Sequence, residues 1–213
     1  MSKDSYIHIA QPGSPGAPLL FLFHGTGGDE RQLLPLAREI APGAAIVSPR
    51  GDVSERGAAR FFRRTGEGVY DMDDLALRTN KMAAFVRAHR DAAGAAAVLG
   101  LGYSNGANIL ASMLFAEPAL FDATVLMHPL IPFAPKIEGD LAGRHVLITA
   151  GRRDPICPPG LTARLESYLK AAKADVTVEW HDGGHELRPN ELDVARRFLS
   201  SYVDKTDQAE RSA

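Results

Sequence analysis

Ser104 stands in the pattern Gly102-x-Ser104-x-Gly106, the strongest chemical signal in the chain. A serine hydroxyl is a weak nucleophile, so it has to be held exposed beside a base. One solution sets it on a strained turn between a strand and a helix, where glycines are needed because flanking side chains would clash. The run before it, Ala95 to Leu101, reads as a buried strand, and Ala107 to Ala116 reads as an apolar helix. An acid and a base follow in the order Ser…Asp…His. Gly151-Arg-Arg-Asp154-Pro comes after a strand expected to end at Ala150, and Gly183-Gly-His185 after one ending near Trp180. His185 would take the proton of Ser104, and Asp154 would hold the imidazole in the tautomer that can do so. A fourth segment, His24-Gly-Thr-Gly-Gly28, directly follows an apolar strand. Glycines let such a loop approach a substrate oxygen closely, so the backbone N–H groups of Thr26 and Asn105 are the expected oxyanion donors. The loop lacks the Gly-x-x-x-x-Gly-Lys and Gly-x-Gly-x-x-Gly spacings of phosphate cradles.

Other residues compete for these roles and fit them less well. His128 precedes Asp154 and adjoins a proline, which suits a pocket wall or a packing role. His24 is expected to be structural through its ring hydrogen bonds, His181 closes a strand, and His8, His89 and His145 have no companions. Cys157 lies three residues past Asp154 without an elbow around it, as a small pocket or packing residue would. Asp71, Asp73 and Asp74 have no histidine or cysteine at ligand spacing. Acids at the start of a helix account for them, so no metal is expected. Phe61, Phe62, Tyr103, Leu130, Ile131 and Phe133 could wall a substrate pocket. Arg64, with Arg60 and Arg63, could pair with a substrate carboxylate, or simply with nearby acids.

The elements that must position these groups alternate strand and helix. Strands are expected at Tyr6–Ala10 (an edge), Leu19–Phe23, Ala44–Ser48, Ala95–Leu101, Thr124–Met127, His145–Ala150 and Val176–Trp180. Helices are expected from Asp29, with Gln32 at the reciprocal capping position, to Ile40, and over Leu75–Arg90, Ala107–Ala116, Leu161–Ala172 and Glu191–Tyr202, the last with Asn190 as N-cap. Residues 50 to 74 are the least regular stretch. Alternation of this kind implies a mostly parallel central sheet covered by helices on both faces, an α/β fold. Ser104, Asp154 and His185 then all fall just past C-terminal strand ends, where open α/β sheets place their sites.

A chain of 213 residues fits one such unit, expected over residues 1–203, with a polar and flexible tail over 204–213. Apolar residues make up 45% and charged residues 23%, enough for a sizeable core. A net charge of -2 argues against a nucleic-acid partner. The single cysteine fits a reducing compartment, no apolar run approaches the ~18 residues of a membrane span, and the cytoplasm is the expected location.

Phe23-His-Gly-Thr-Gly-Gly-Asp29, Gly100-Leu-Gly-Tyr-Ser-Asn-Gly-Ala107, Gly151-Arg-Arg-Asp154-Pro and Gly184-His185 together resemble the phospholipase/carboxylesterase family of α/β hydrolases. The likeness runs from Leu19 to Tyr202 and is closest to the bacterial carboxylesterase branch, through Arg60-Phe-Phe-Arg-Arg64 and Val69-Tyr-Asp-Met-Asp73. The resemblance implies the triad above, no cofactor, no large cap domain, and a small-molecule ester as substrate; it is compatible with a homodimer. Acyl-protein thioesterases carry glutamine after the nucleophile and Leu-Gly-Asp after His-Gly. Asn105 and Thr26-Gly-Gly-Asp29 therefore point away from protein deacylation. Dienelactone hydrolases are a neighbouring group with cysteine at the elbow, where this chain has Ser104. Thioesterase or lysophospholipase-type activity on the same triad, and a non-catalytic binding module on the same fold, stay open as alternatives.

Overall fold

A computed structural model describes residues 2–210, with side chains described through residue 203. The Leu19–Phe23 run forms β2 and is buried throughout, as a strand with helices on both faces must be. Its side chains alternate between two cores. Leu19, Phe21 and Phe23 join one, and Leu20 and Leu22 join the other. The same alternation recurs on the strand Val98–Tyr103 (β8), where Leu99 and Leu101 face the second core. On His145–Gly151 (β10), Val146 and Ile148 face the first core while Leu147 faces the second.

With His8–Gln11 (β1), Ala45–Pro49 (β3), Ala123–Met127 (β9) and Asp175–His181 (β11), these strands make a seven-stranded sheet. Its order is β1-β3-β2-β8-β9-β10-β11; β1 is an antiparallel edge, and every other pairing is parallel. Helices Met72–Ala93 (α2), Asn105–Ala116 (α3) and Pro159–Ala171 (α4) supply the first core, and Leu34–Ile40 (α1) and Pro189–Glu210 (α5) the second. Helix α3 is central: every residue from Asn105 to Phe115 is buried, which explains its mostly apolar sequence.

Several boundaries differ from the sequence reading, each for a local reason. Helix α1 begins at Leu34, not at Asp29. The Asp29 carboxylate closes a turn by accepting the Arg31 N–H at 2.8 Å, and Gln32 Oε1 is taken by the Gly25 N–H at 2.8 Å. Helix α2 begins at Met72, three residues early, because Asp71 is its N-cap and accepts the Asp74 N–H at 3.0 Å. Helix α5 begins at Pro189, and Asn190 does not cap it. Glu191 instead reaches back to the Arg188 N–H at 2.7 Å, the acidic half of a capping box. The α5 backbone continues as helix to Glu210, into the stretch expected to be a frayed tail; side chains beyond 203 and residues 211–213 lie outside those described.

The irregular stretch of residues 50–74 holds two hairpins, Val53–Glu55 (β4) with Ala58–Arg60 (β5) and Arg64–Gly66 (β6) with Val69–Tyr70 (β7). The first turns on Arg56 and Gly57, both at positive φ (51° and 88°), as a two-residue type I′ loop requires. Among the described residues, no helix is long and apolar enough to cross a membrane.

Candidate active site

The C-terminal ends of β2, β8, β9, β10 and β11 deliver, in turn, the 24–28 loop, Ser104, His128, the loop bearing Asp154, and the loop bearing His185. Ser104 sits at φ 52°, ψ -115°, a conformation costly for a side-chain-bearing residue. It is held there by its N–H donating to Met127 O (2.9 Å) and its carbonyl accepting the Asn108 N–H (3.0 Å). Both flanking glycines are required by space. A Cβ on Gly102 would meet the Gly106 carbonyl oxygen at 2.5 Å, and one on Gly106 would run into the Phe23 carbonyl of β2.

Ser104 Oγ lies 2.9 Å from His185 Nε2, and His185 Nδ1 lies 2.7 Å from Asp154 Oδ2. The His185 loop is tied to β8 by the Tyr103 hydroxyl, which donates to the His185 carbonyl at 2.8 Å. Asp154 is buried and fully used. Its Oδ1 accepts the N–H groups of Ile156 (2.8 Å) and Cys157 (2.9 Å), and its Oδ2 accepts a second imidazole, His128 Nδ1, at 2.9 Å. Burial alone would raise its pKa, but the Cys157 N–H, the two imidazoles and the Ile156 N–H outweigh it and hold the carboxyl below its ordinary range.

His128 is fully buried and is no pocket wall. Its Nε2 lies 3.0 Å from Glu191 Oε1, and His181 Nε2 lies 3.3 Å from Glu191 Oε2. Burial opposes charge on His128, yet Glu191 and Asp154 together raise its pKa; Glu191 is lowered, with His128 as the chief group working against its burial. Three converging ligand atoms on His128, His181 and Glu191 invite a metal reading. The donor set argues against it. His181 Nδ1 accepts the Gly183 N–H at 2.9 Å, so its proton is on Nε2, and the nitrogen facing the cluster has no lone pair for a cation.

Thr26 and Asn105 both border the space in front of Ser104. The Asn105 N–H belongs to the first turn of α3, where the helix itself offers no carbonyl to accept it. The Asn105 side chain faces away, accepting the Phe61 N–H at 2.8 Å. The Thr26 hydroxyl accepts from buried Arg60 Nη1 at 2.7 Å, which ties the loop after β2 to the first hairpin. His24 is structural, as expected: its ring spans Gly25 O (2.7 Å) and the Gly51 N–H (2.9 Å), and burial lowers its pKa.

A cavity of about 310 Å³ opens at Ser104 and His185. Arg64, Tyr103 and Leu130 line it, along with Thr26, Arg60, Glu67, Tyr70, Asn108, Ile156 and Cys157. Four proposed wall residues do not. Phe61 (2% exposed) packs between Phe23 and His24, Phe62 is enclosed against Tyr70, Ile131 is in the first core, and Phe133 packs against that core. The segment joining the hairpins turns Phe61 and Phe62 inward, and hydrogen-bonded polar groups take part of the lining they were expected to supply. There Asn108 Nδ2 donates to the Tyr70 hydroxyl (2.8 Å), and that hydroxyl donates to Leu130 O (2.6 Å). Tyr70, Asn108 and Glu191 carried no local sequence signal beyond a helix or strand position. His128 carried one, its place at the C-terminal end of a central strand.

A mostly parallel sheet wrapped by helices, with its polar cluster past the strand ends and a serine on a strand–turn–helix elbow, is the fold of an α/β hydrolase. The chain belongs to the dienelactone hydrolase family, whose model matches residues 56–208. The group set apart on its cysteine elbow is thus the one whose description covers this serine-bearing chain. The chain is 41% identical over 198 residues to MhqD of Bacillus subtilis (strain 168), covering 92% of this chain and 98% of that one. Among solved structures, the Agrobacterium tumefaciens str. C58 protein Atu2452 superposes with a TM-score of 0.90 at 59% identity, over 95% of this chain and 99% of that one. The Bacillus cereus carboxylesterase does so with a TM-score of 0.89 at 38% identity, over 93% and 95%. The protein is a hydrolase of the dienelactone hydrolase/carboxylesterase type.

Proposed function

We propose that the protein is a serine carboxylic ester hydrolase that acts through an acyl-enzyme on small to medium acyl esters. The observation that carries this reading is the hydrogen-bonded chain from Ser104 Oγ through His185 to Asp154 at the mouth of the cavity. His185 takes the Ser104 proton as Oγ attacks the ester carbonyl, and Asp154 stabilises the imidazolium that results. The backbone N–H groups of Thr26 and Asn105 receive the oxyanion, each worth about 3 kcal/mol of transition-state stabilisation. His185 then protonates the leaving alkoxide, and the same sequence run with water releases the acid and restores Ser104.

The charges around the cavity favour neutral esters. Arg60 and Arg64 share one carboxylate, Glu55, with Nε–Oε2 distances of 3.2 and 3.0 Å, and Glu67 brings a second acid to the wall. Two cations against two anions leave no surplus for a substrate carboxylate, so the pairing considered for Arg64 is already made within the protein. A p-nitrophenyl succinate half-ester should be turned over no more than about fivefold better than the butyrate, the scale of one exposed ion pair. A larger preference that disappears in Arg64→Gln would restore the carboxylate role.

The test of the reading is hydrolysis of p-nitrophenyl esters from acetate to decanoate by wild type and Ser104→Ala. Turnover that vanishes in the variant supports it. Equal, near-background rates in both proteins would favour a binding module on the same fold.

A further inference from the structure

In the triad proposed above, Asp154 would need only one imidazole partner, yet two imidazoles share its Oδ2, and the second is the better buried. His128 Nδ1 donates to Asp154 Oδ2 at 2.9 Å, on the same oxygen that takes His185 Nδ1 at 2.7 Å. Its other nitrogen faces Glu191 Oε1 at 3.0 Å. Two buried carboxylates flank the ring, and their charge favours its imidazolium form against the cost of burial. His128 itself is fixed from several sides. Its backbone is at φ 50°, its N–H donates to Thr149 O at 2.9 Å, and its carbonyl accepts the Cys157 thiol at 3.2 Å.

We propose that His128 and Glu191 are positioning residues for the reaction, a buried second arm that fixes the Asp154 carboxylate and balances its charge. This rests on the Ser104–His185–Asp154 reading above. Asp154 and Glu191 carry two negative charges and His128 one positive, so the resting cluster is singly negative. It becomes neutral when His185 accepts the Ser104 proton. The arrangement therefore favours the charge that appears on His185 in the transition state, while keeping Asp154 from facing a second uncompensated carboxylate. Every titratable or charged group facing His128 enters this balance: Asp154 from the β10–α4 loop, Glu191 from α5, His181 from β11, His185 from the loop before α5, and Cys157 beside its carbonyl. The Tyr103 ring of β8 packs edge-on at 6.1 Å.

The experiment compares wild type, His128→Gln and the double variant His128→Gln/Glu191→Gln, all with Ser104 intact. kcat is counted per site labelled by a fluorophosphonate, and kcat/KM for p-nitrophenyl butyrate is followed from pH 5 to 9. His128→Gln leaves two facing carboxylates unbalanced. It should lower kcat roughly tenfold at nearly constant KM and move the acid limb of the profile up by about one pH unit. The double variant restores the net charge without the second arm, so its limb should return to the wild-type position while kcat stays low. If His128→Gln does not fold, the double variant decides through its kcat. Variants with wild-type kcat per labelled site and a wild-type acid limb, whatever their melting temperature, would overturn the proposal. A wild type that shows no Ser104-dependent turnover would instead remove the reading on which it rests.

Discussion

At the residue scale, Asp154 bears more of the proposed mechanism than Ser104. In that mechanism serine provides the attacking atom, but four donors converge on the Asp154 carboxylate, and their geometry sets the His185 ring. Asp154→Asn keeps the shape while offering an amide where His185 Nδ1–H needs an acceptor. kcat should fall by about 10³ to 10⁴ with KM little changed, measured on p-nitrophenyl butyrate. A loss under tenfold would mean that His185 is oriented by something else. Ser104, Asp154 and His185 were legible in the sequence because each carries a local signature: the Gly-x-Ser-x-Gly spacing, or a glycine-flanked loop after an apolar strand. Glu191 was not, and His128 showed only its place at a strand end, because their meaning lies in what strands β9 and β10 and helix α5 bring together from distant parts of the sequence. Phe61 and Phe62 misled for a related reason: aromatic rings in a loop show no periodicity, so which way a hairpin turns them cannot be read from spacing.

At the element scale, the elbow is possible only where β2, β8 and α3 nearly touch. Gly106→Ala drives a methyl into the Phe23 carbonyl, and neither backbone can retreat from a central sheet. Urea denaturation should show a loss of at least about 3 kcal/mol or failure to fold; a loss below 1 kcal/mol would contradict the packing described. A second prediction concerns α1, whose approach is pinned by Glu30. That carboxylate is buried and bonded to Arg50 at 2.5 and 2.8 Å, and the Arg50 guanidinium pushes its pKa down from an ordinary 4.5 to about 2. The folded pKa lies below the unfolded one, so the unfolded chain binds the proton first as pH falls. The stabilisation is complete above pH 4.5 and is lost towards pH 2. Glu30→Gln should therefore lower the melting temperature at pH 7 and differ much less from wild type at pH 3. An equal difference at both values would assign the effect to packing alone. The strands and the long helices were readable from apolar runs and 3.6-residue spacing. The starts of α1, α2 and α5 were not, since Asp29, Asp71 and Glu191 each had several backbone N–H groups within reach and the choice depends on the turn that forms.

At the scale of the whole molecule, nothing larger than two short hairpins covers the site among the described residues. The cavity of about 310 Å³ is bounded by a polar floor of Tyr70 and Asn108. A floor already hydrogen-bonded within itself gives a long alkyl chain no apolar tunnel to enter, and leaving the chain in water gains nothing from burial. kcat/KM along the acetate-to-decanoate series should peak at short acyl groups and fall beyond them. A steady rise towards decanoate would contradict this reading of the cavity. The α/β architecture was legible almost in full, because a sheet buried on both faces writes itself as repeated apolar strands between helices. The size and lining of the cavity were not, because residues 50–74 build its outer wall through turn geometry at Arg56-Gly57 and Glu67-Gly68, which leaves no trace in hydrophobic patterning.

The most direct test of the central claim is intact-mass and peptide mapping after reaction with a fluorophosphonate, wild type beside Ser104→Ala and His185→Ala. The account predicts one covalent adduct per chain, located on Ser104, absent from Ser104→Ala and formed far more slowly in His185→Ala. Adduct formation on another residue, or an unlabelled wild type, would contradict the assignment of Ser104 as the activated nucleophile.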